Sequence, residues 1–505
     1  MIRKIKLYMM LAAVLFSVTA CLDKYPEDAM LEGDAINTVS DVDQAVIGIY
    51  AAFKSSALYS GTLTLLPDIQ SDLVYAVDGY TNVYGNAWRW EILATNAEIT
   101  SVYGTLYGII GQCNFVLDYV DRVEANTVDD ELLEKLDHYK GEIYFARALA
   151  YSELIKLYCK AYEDDATAEK QLGVVLTSSY HNPGRLIRAS LKDSYQFVLD
   201  DLARAEQLFG ENEEDAGILY NSAYFTIGTV HALYARVYLY MNKFDEAIKY
   251  SSKVIDGKKY ALANINRKNY STKFNDFEYM WQYDDAAEII WKVKFDLSSY
   301  GGRLGTIFLN YDYTSYKPDY VPAEWVLKLY ASEDKRYEAY FGTVTTGYSH
   351  GLTWPLLVKY MGNQNFVASN ILFVSMPKPF RLAEQYLIRA EAYCRCSRHL
   401  YGEASKDLSA LRSNRYTSYG SATLTGENWQ KVIGEERVKE LYMEGFRLTD
   451  LKRWNQGFER SPQKNSVASG SSLKVAKESP LFVWPIPQHE LESPGAEIQP
   501  NESNK

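Results

Sequence analysis

The densest set of ionisable side chains lies near the C-terminus, in Glu435-Glu436-Arg437-Val438-Lys439-Glu440-Leu441-Tyr442-Met443-Glu444-Gly445-Phe446-Arg447. Helical spacing puts Glu436, Glu440, Glu444 and Arg447 on one stripe. Hydrolysis of a glycosidic bond needs two carboxyls facing each other across the substrate, ~5–9.5 Å apart. Charges stacked along one helix are expected to form a salt-bridged stripe instead. Loop carboxylates open to such chemistry are Asp68, Asp72, Asp78, Asp312 and Asp319. Cys394-x-Cys396 with His399 has a metal-like spacing, but residues i and i+2 of a helix point ~200° apart and cannot face one ion. The histidines (His138, His181, His231, His350, His399 and His489) share no ligand-like spacing, and no HExxH, GxSxG, GxxxxGK[ST] or GxGxxG occurs. Gly301-Gly302-Arg303-Leu304-Gly305 lacks a following helix signal and reads as a turn. The sequence therefore assigns no catalytic residue, no metal site and no cofactor.

Groups suited to binding are more abundant. Tyrosine is the unusual component, 43 residues against 19 Phe and 9 Trp. A ring with a polar tip suits wet surfaces, although most of these tyrosines are expected between helices. Two stretches combine aromatics with amides and charge. The first holds Tyr80, Asn82, Tyr84, Asn86, Trp88, Arg89 and Trp90; the second holds Trp281, Tyr283, Tyr300, Arg303, Tyr311, Tyr313 and Tyr316. If the first stretch is extended, Trp88 and Trp90 share a face and Arg89 points away. The competing reading is that both tryptophans anchor their loop into the scaffold.

The elements that position these groups read as mostly helical. Apolar residues make up 47 % and charged residues 23 % of 505, which excludes disordered and collagen-like classes. Helical spacing recurs over 41–54 and 101–121, then in pairs: Gly141 to Tyr158 with Leu191 to Phe209, Tyr220 to Met241 with Phe244 to Ile255, and Arg381 to Cys396 with Tyr401 to Asn414. Small residues such as Ala232, Ala235 and Ala247 alternate with Tyr234, Tyr238 and Tyr250, allowing close helix approach while rings fill the next groove. This pattern resembles tetratricopeptide repeats. The helical scaffold is expected over about 41–258 and 381–455, with loop-rich insertions at about 72–92 and 259–380 and a closing segment at 456–505. Short strand-like runs appear at Glu288 to Val293 and Leu356 to Tyr360. Long insertions on a rigid scaffold are where binding residues concentrate.

The N-terminus reads as an address. Arg3, Lys4 and Lys6 precede an apolar stretch, Leu7 to Ala20, which is too short to span a bilayer and suits a secretory leader. Val18-Thr19-Ala20-Cys21 resembles a bacterial lipobox, making 1–20 a lipoprotein signal peptide and Cys21 the lipidated residue of a single domain over 21–505. Removing residues 1–20 takes three positive charges and changes the net charge from −12 to −15. That acidity makes nucleic acid an unsuitable partner. The remaining cysteines, Cys113, Cys159, Cys394 and Cys396, are too few for a disulfide scaffold.

Several motifs occur in a recognisable order. Cys21-Leu22-Asp23-x-x-Pro26, Ala146-Arg147-Ala148-x-x-Tyr151-x-x-Leu154, Ala383-Glu384-x-Tyr386-Leu387-Ile388-Arg389-Ala390-Glu391-Ala392, and Glu436-Arg437-x-x-Glu440-Leu441-x-x-Glu444-Gly445-x-Arg447-x-x-Asp450-Leu451-x-Arg453-Trp454 precede Trp484-Pro485-Ile486-Pro487-x-x-Glu490-Leu491. Together they resemble the SusD/RagB family of nutrient-binding outer-membrane lipoproteins. Residues 322–360, with Glu324-Trp325-Val326, Asp334-Lys335-Arg336 and Lys359-Tyr360, lean toward the RagB-like branch. The resemblance implies a mostly α SusD-like fold, in which about four tetratricopeptide-like pairs form a right-handed superhelical scaffold beside a loop-rich region. It implies a lipid anchor on the extracellular side of the outer membrane and a SusC-like TonB-dependent transporter as partner. It also implies capture of oligosaccharides without chemistry, or of oligopeptides in the RagB-like branch.

Ligand contacts in that family form no fixed motif, so the candidates follow from composition. A sugar packs its C–H face on an aromatic ring and pairs its hydroxyls with amides or charges. Both aromatic stretches supply these groups, the first within eleven residues. An oligopeptide would need backbone-matching donors and acceptors, and a surface glycoside hydrolase would need two of the loop carboxylates opposed.

Overall fold

The computed structural model describes residues 35–77, 83–210, 222–268, 272–311, 314–344, 354–460, 473–495 and 497–505. The principal helices are α1 (Val39–Ala52), α2 (Thr62–Gln70), α3 (Ala97–Asn126), α4 (Asp130–Tyr158), α5 (Leu191–Phe209), α6 (Ile227–Tyr240), α7 (Phe244–Asp256), α8 (Leu382–Arg395), α9 (Tyr401–Ser413), α10 (Trp429–Glu440) and α11 (Arg447–Arg453). Each from α3 to α9 packs on the next, so the expected helical pairs are present in sequence order. Helix α4 begins eleven residues before the expected Gly141, because Asp129 caps it by accepting the Leu132 N–H and acidic Asp130 and Glu131 follow.

The small residues are fully buried: Ala146, Ala148, Ala150, Ala232, Ala235 and Ala247 all sit inside the helical core. Tyr234 stacks on Tyr250 at 4.2 Å, filling the groove that these alanines leave between α6 and α7. Paired charges join neighbouring helices. Arg147 of α4 grips Asp201 of α5 through Nε and Nη2, both at 2.8 Å. Arg236 of α6 holds Glu384 of α8, and Arg389 of α8 holds Asp407 of α9, in the same two-point geometry. The planar guanidinium satisfies a buried carboxylate in one orientation, so these links specify how the helices dock.

The strands are short: β1 (Val74–Ala76), β2 (Leu172–Val175), β3 (Arg188–Ser190), β4 (Ile289–Trp291), β5 (Tyr320–Pro322), β6 (Phe341–Gly342), β7 (Leu356–Leu357), β8 (Phe380–Arg381), β9 (Phe458–Arg460) and β10 (Leu473–Val475). They pair only two at a time, β1–β5, β2–β3, β4–β8, β6–β7 and β9–β10, all antiparallel. The β1–β5 pair stitches the first expected insertion to the second, with Ala76 opposite Tyr320. A second core forms there around Phe277, Trp281, Tyr320 and Tyr340.

The acidic stripe is buried, and apart from Lys439, which meets Glu436 at 3.1 Å within α10, its partners are remote rather than one helical turn away. Glu440, the last residue of α10, receives Arg336 at 3.0 Å, Arg381 at 2.9 Å and Arg415 at 3.0 Å. Glu436 meets Arg336 and Arg412, while Glu444 lies beyond the helix and meets Lys359 and Arg381. Burial alone would raise the Glu440 carboxyl, but Arg415, Arg381 and Arg336 outweigh it and hold it well below the usual carboxylate range. This network ties α10 to the second loop-rich region, to Arg381 at the start of α8 and to Arg412 of α9. Gly445 follows at φ +85°, where an added Cβ would stand 2.8 Å from the Leu63 carbonyl oxygen. Cys394 and Cys396 are buried free thiols, with Cys396 already past the end of α8. No helix among the described residues is long and apolar enough to cross a membrane.

Candidate ligand-binding cleft

Tyr84 and Trp90 both take left-handed backbone angles, φ +66° and +61°, at the two ends of a short reversal. Between them Gly85–Trp88 forms one helical turn. The chain is therefore not extended here, and Trp88 and Trp90 do not share a face as expected. The reversal, Leu66 of α2 and the first turn of α3 enclose a cleft of about 360 Å³. Leu66, Ile92 and Ile99 make its apolar wall, and Tyr84, Asn86, Arg89, Asn96 and Glu98 bring polar groups to it. Arg89 is half-exposed and splayed between two partners, giving Nη2 to the Asn86 Oδ1 at 2.6 Å and Nε to Glu91 at 2.8 Å. The Tyr84 hydroxyl lies 3.2 Å from the Thr62 hydroxyl. Burial raises its pKa, and Glu98 nearby adds to the rise against the Thr62 hydrogen bond. An apolar wall with a few converging amides, a guanidinium and a carboxylate can hold a small polar ligand in one orientation.

The cleft is anchored from the second insertion. The Val83 N–H donates to the Asp319 carboxylate at 3.4 Å, and the Tyr320 hydroxyl donates to the Val83 carbonyl at 2.7 Å. Tyr316, three residues before Asp319, pairs with Tyr311 across an isolated bridge, their rings 4.9 Å apart and tilted 36°. The β1–β5 pairing thus brings part of the second predicted stretch to the neighbourhood of the first.

The other predicted residues are placed differently. Trp88 is buried; its indole N–H donates to the Val74 carbonyl at 3.1 Å, and the Arg460 guanidinium covers its ring at 4.6 Å. Trp90 donates to the Gln70 carbonyl at 2.6 Å and packs on Phe458 and Phe482. Both act as loop anchors, which leaves neither indole presented as an open platform. Trp281 is also interior, with Lys359, Lys378 and Arg381 over its ring at 4.0, 4.6 and 5.3 Å. Tyr283 stacks on Tyr279 at 4.6 Å, Tyr300 sits 6.0 Å from Phe366, and Arg303 is exposed. None of these last three lines the cleft. Tyr80, Asn82 and Tyr313 lie outside the described residues.

The carboxylates expected in loops serve the fold where they are described, and Asp68 lies within α2 rather than in a loop. Asp68 is buried and accepts the N–H groups of Gly445 and Arg447 at 2.9 and 2.8 Å. Asp72 is gripped by Arg447 at 2.8 Å through both Nε and Nη2. Asp319 holds the Val83 turn, and Asp78 and Asp312 lie outside the described residues. The carboxylate that does line the cleft, Glu98, escaped sequence reading because an acid in the first turn of a helix is what the helix dipole favours anyway. Asn96 was hidden in the same way, as the residue that caps α3.

Residues 21–239 match a family described as SusD-like, "starch-binding associating with outer membrane", and residues 242–501 match the SusD family. The SusD-like protein P25 of Formosa agariphila is 25 % identical over 164 residues, a match spanning 31 % of this chain and 30 % of that protein. A SusD superfamily protein of Bacteroides thetaiotaomicron superposes with a TM-score of 0.76 at 22 % identity, covering 92 % of this chain and 99 % of the other. A sugar-binding protein of Bacteroides vulgatus, so described provisionally, gives 0.76 at 24 % identity, covering 93 % and 100 %. A laminarin-binding SusD-like protein gives 0.66 at 19 %, covering 92 % and 100 %. These superpositions establish the fold as mostly α and SusD-like. With one family match spanning more than half of its length and the related one spanning most of the remainder, the chain belongs to the SusD/RagB family.

Proposed function

We propose that this protein is a nutrient-binding lipoprotein that captures oligosaccharides at the outer cell surface and passes them to a SusC-like TonB-dependent transporter without cleaving them. The observation that carries the reading is the cleft beside Tyr84, Asn86, Arg89 and Glu98, on a scaffold shared with a sugar-binding and a laminarin-binding protein. Its apolar wall suits a sugar C–H face and its rim suits hydroxyls. Its described lining has one carboxylate, Glu98, where a retaining or inverting glycosidase uses two. Lipidation at Cys21 would hold the protein at the outer leaflet without a spanning segment, more than one acyl chain being needed for a stable anchor.

The test is calorimetry of residues 22–505 against neutral oligosaccharides, laminarin included, and against mixed oligopeptides, with product analysis afterwards. Heat with a glycan and no shorter products supports capture. Heat only with peptides moves the protein to an oligopeptide-capturing role, and any cleavage overturns the binding-only reading.

A further inference from the structure

A second cleft, of about 560 Å³, opens where the end of α4, the turn between α6 and α7, the end of α11 and residues 477–483 meet. Its volume is in the range of small-molecule sites. Lys452 closes one side, its ammonium donating to the carbonyls of Lys156 and Cys159 at 2.6 and 2.8 Å, beneath the C-terminus of α4. Asn242, at φ +57°, donates its amide to the carbonyls of Tyr162 and Glu163, which leaves its side-chain oxygen uncommitted. Asn455, at φ +51°, and Ser479 have no side-chain partner among the described residues, and the Gln171 Oε1 is a buried acceptor without one. The charges around the cleft are mostly spoken for: Arg453 by Glu391 and Asp450, Lys160 by Glu502. Beside the Glu163 carboxylate and the Lys477–Glu478 pair at the exposed rim, the groups that remain open are neutral donors and acceptors, which suit a hydroxyl-rich, uncharged ligand.

One aromatic contact links this cleft to the first. Phe482 lines it and meets Trp90 at a ring distance of 4.9 Å, and Trp90 follows directly on Arg89 of the first cleft. We propose that the cleft at Asn242, Asn455 and Ser479 is a second subsite for a neutral oligosaccharide, separate from the Tyr84–Arg89 cleft. The inference rests on the glycan reading above. It gives the protein two points of attachment, so that a long glycan would be retained more firmly than either subsite alone could hold it.

The experiment titrates the soluble protein with size-graded malto-, cello- and xylo-oligosaccharides and counts sites. Because the Asn455 and Ser479 side chains have no partner among the described residues, and glycine accepts the φ +51° of residue 455, the Asn455→Gly/Ser479→Ala double variant is expected to unfold at nearly the same temperature as the parent. Short oligosaccharides are expected to bind two per chain in the parent, and one per chain in either the double variant or Arg89→Ala. At the second subsite the double variant is expected to lose about tenfold or more in affinity, the scale of two neutral hydrogen bonds. One site per chain, abolished by Arg89→Ala and untouched by the double variant, overturns the second subsite and leaves the glycan reading intact. No binding of any oligosaccharide to the parent overturns both.

Discussion

The Arg460 guanidinium lies over the Trp88 ring and donates to the Trp88 backbone carbonyl, joining two residues 372 positions apart. The same side chain reaches the carbonyls of Gln70 and Ser71. One arginine of the C-terminal hairpin thus closes the α2–β1 corner from which the cleft loop departs. Burial without a carboxylate partner among these contacts lowers its pKa to about 10, which still leaves it charged at neutral pH.

Trp88→Ala is therefore expected to act on stability. Removing a buried indole costs about 3–5 kcal/mol, and here it also exposes a guanidinium to a void. Denaturant unfolding should show the loss, while Trp88→Phe, which keeps a ring under Arg460, should recover most of it. Glycan affinity of the folded fraction is expected to stay within about twofold, the margin of a residue that touches no ligand. A large affinity loss in a stable Trp88→Phe protein would return the indole to the binding surface.

Arg89 presents the opposite case. Its partners Asn86 and Glu91 are exposed, so Arg89→Ala should leave the unfolding midpoint nearly unchanged, as surface pairs contribute ~0–1 kcal/mol. Binding at the first cleft should weaken by about tenfold or more, because a charge-assisted hydrogen bond to the ligand is lost. Calorimetry on the variant and on Tyr84→Phe separates the two rim groups; equal affinity in both variants and the parent would move the ligand away from this cleft.

The repeats were legible because they follow a local rule, alanine spacing on α6 to α9, whereas the start of α4 at Asp130 was not, since its Asp129 cap precedes the apolar pattern. The acidic stripe was legible as ion pairs, but its partners Arg336, Arg381 and Arg415 are far away in sequence and only the tertiary fold names them. The same limit governs the site. The reversal at Tyr84 and Trp90 needs two non-glycine residues at positive φ, which composition does not signal, and its stability comes from Asp319, Tyr320 and Arg460. Residue types suited to binding therefore pointed to a loop that lines a cleft, while the exposure of each ring was set by long-range contacts.

Glu440→Gln tests the buried network. Three arginines converge on that carboxylate, and neutralising it leaves them close together with too little countercharge. A loss of about 3–5 kcal/mol is expected, the usual cost of breaking one side of a buried pair. Thermal unfolding measures it, and a midpoint unchanged within error would show that Glu288, Glu436 and Glu444 can compensate.

Asp68 gives a pH dependence of opposite sign to that of the paired glutamates. Burial is the main cause that pushes its pKa up to about 7, with Asp450 and Glu444 adding repulsion against the hydrogen bonds from Gly445 and Arg447. A carboxyl raised in the folded state favours folding while protonated, so its contribution is fully present below the unfolded value near 3.8 and is lost as pH rises toward 7. The paired Glu391, held down to about 2 by Arg453 despite burial, instead contributes above its unfolded value of 4.5 and is lost in acid. Stability of the parent relative to Asp68→Asn should therefore rise on acidification from about pH 7.5 to about pH 5, approaching a slope of about 1.4 kcal/mol per pH unit midway. Histidines titrate alike in both proteins and cancel in the difference. Asn keeps one acceptor for the Gly445 or Arg447 N–H and opposes the other with its amide, a pH-independent offset that does not alter the slope. Parallel stability curves for the two proteins across this range would mean that Asp68 stays ionised and that its two backbone donors outweigh its burial.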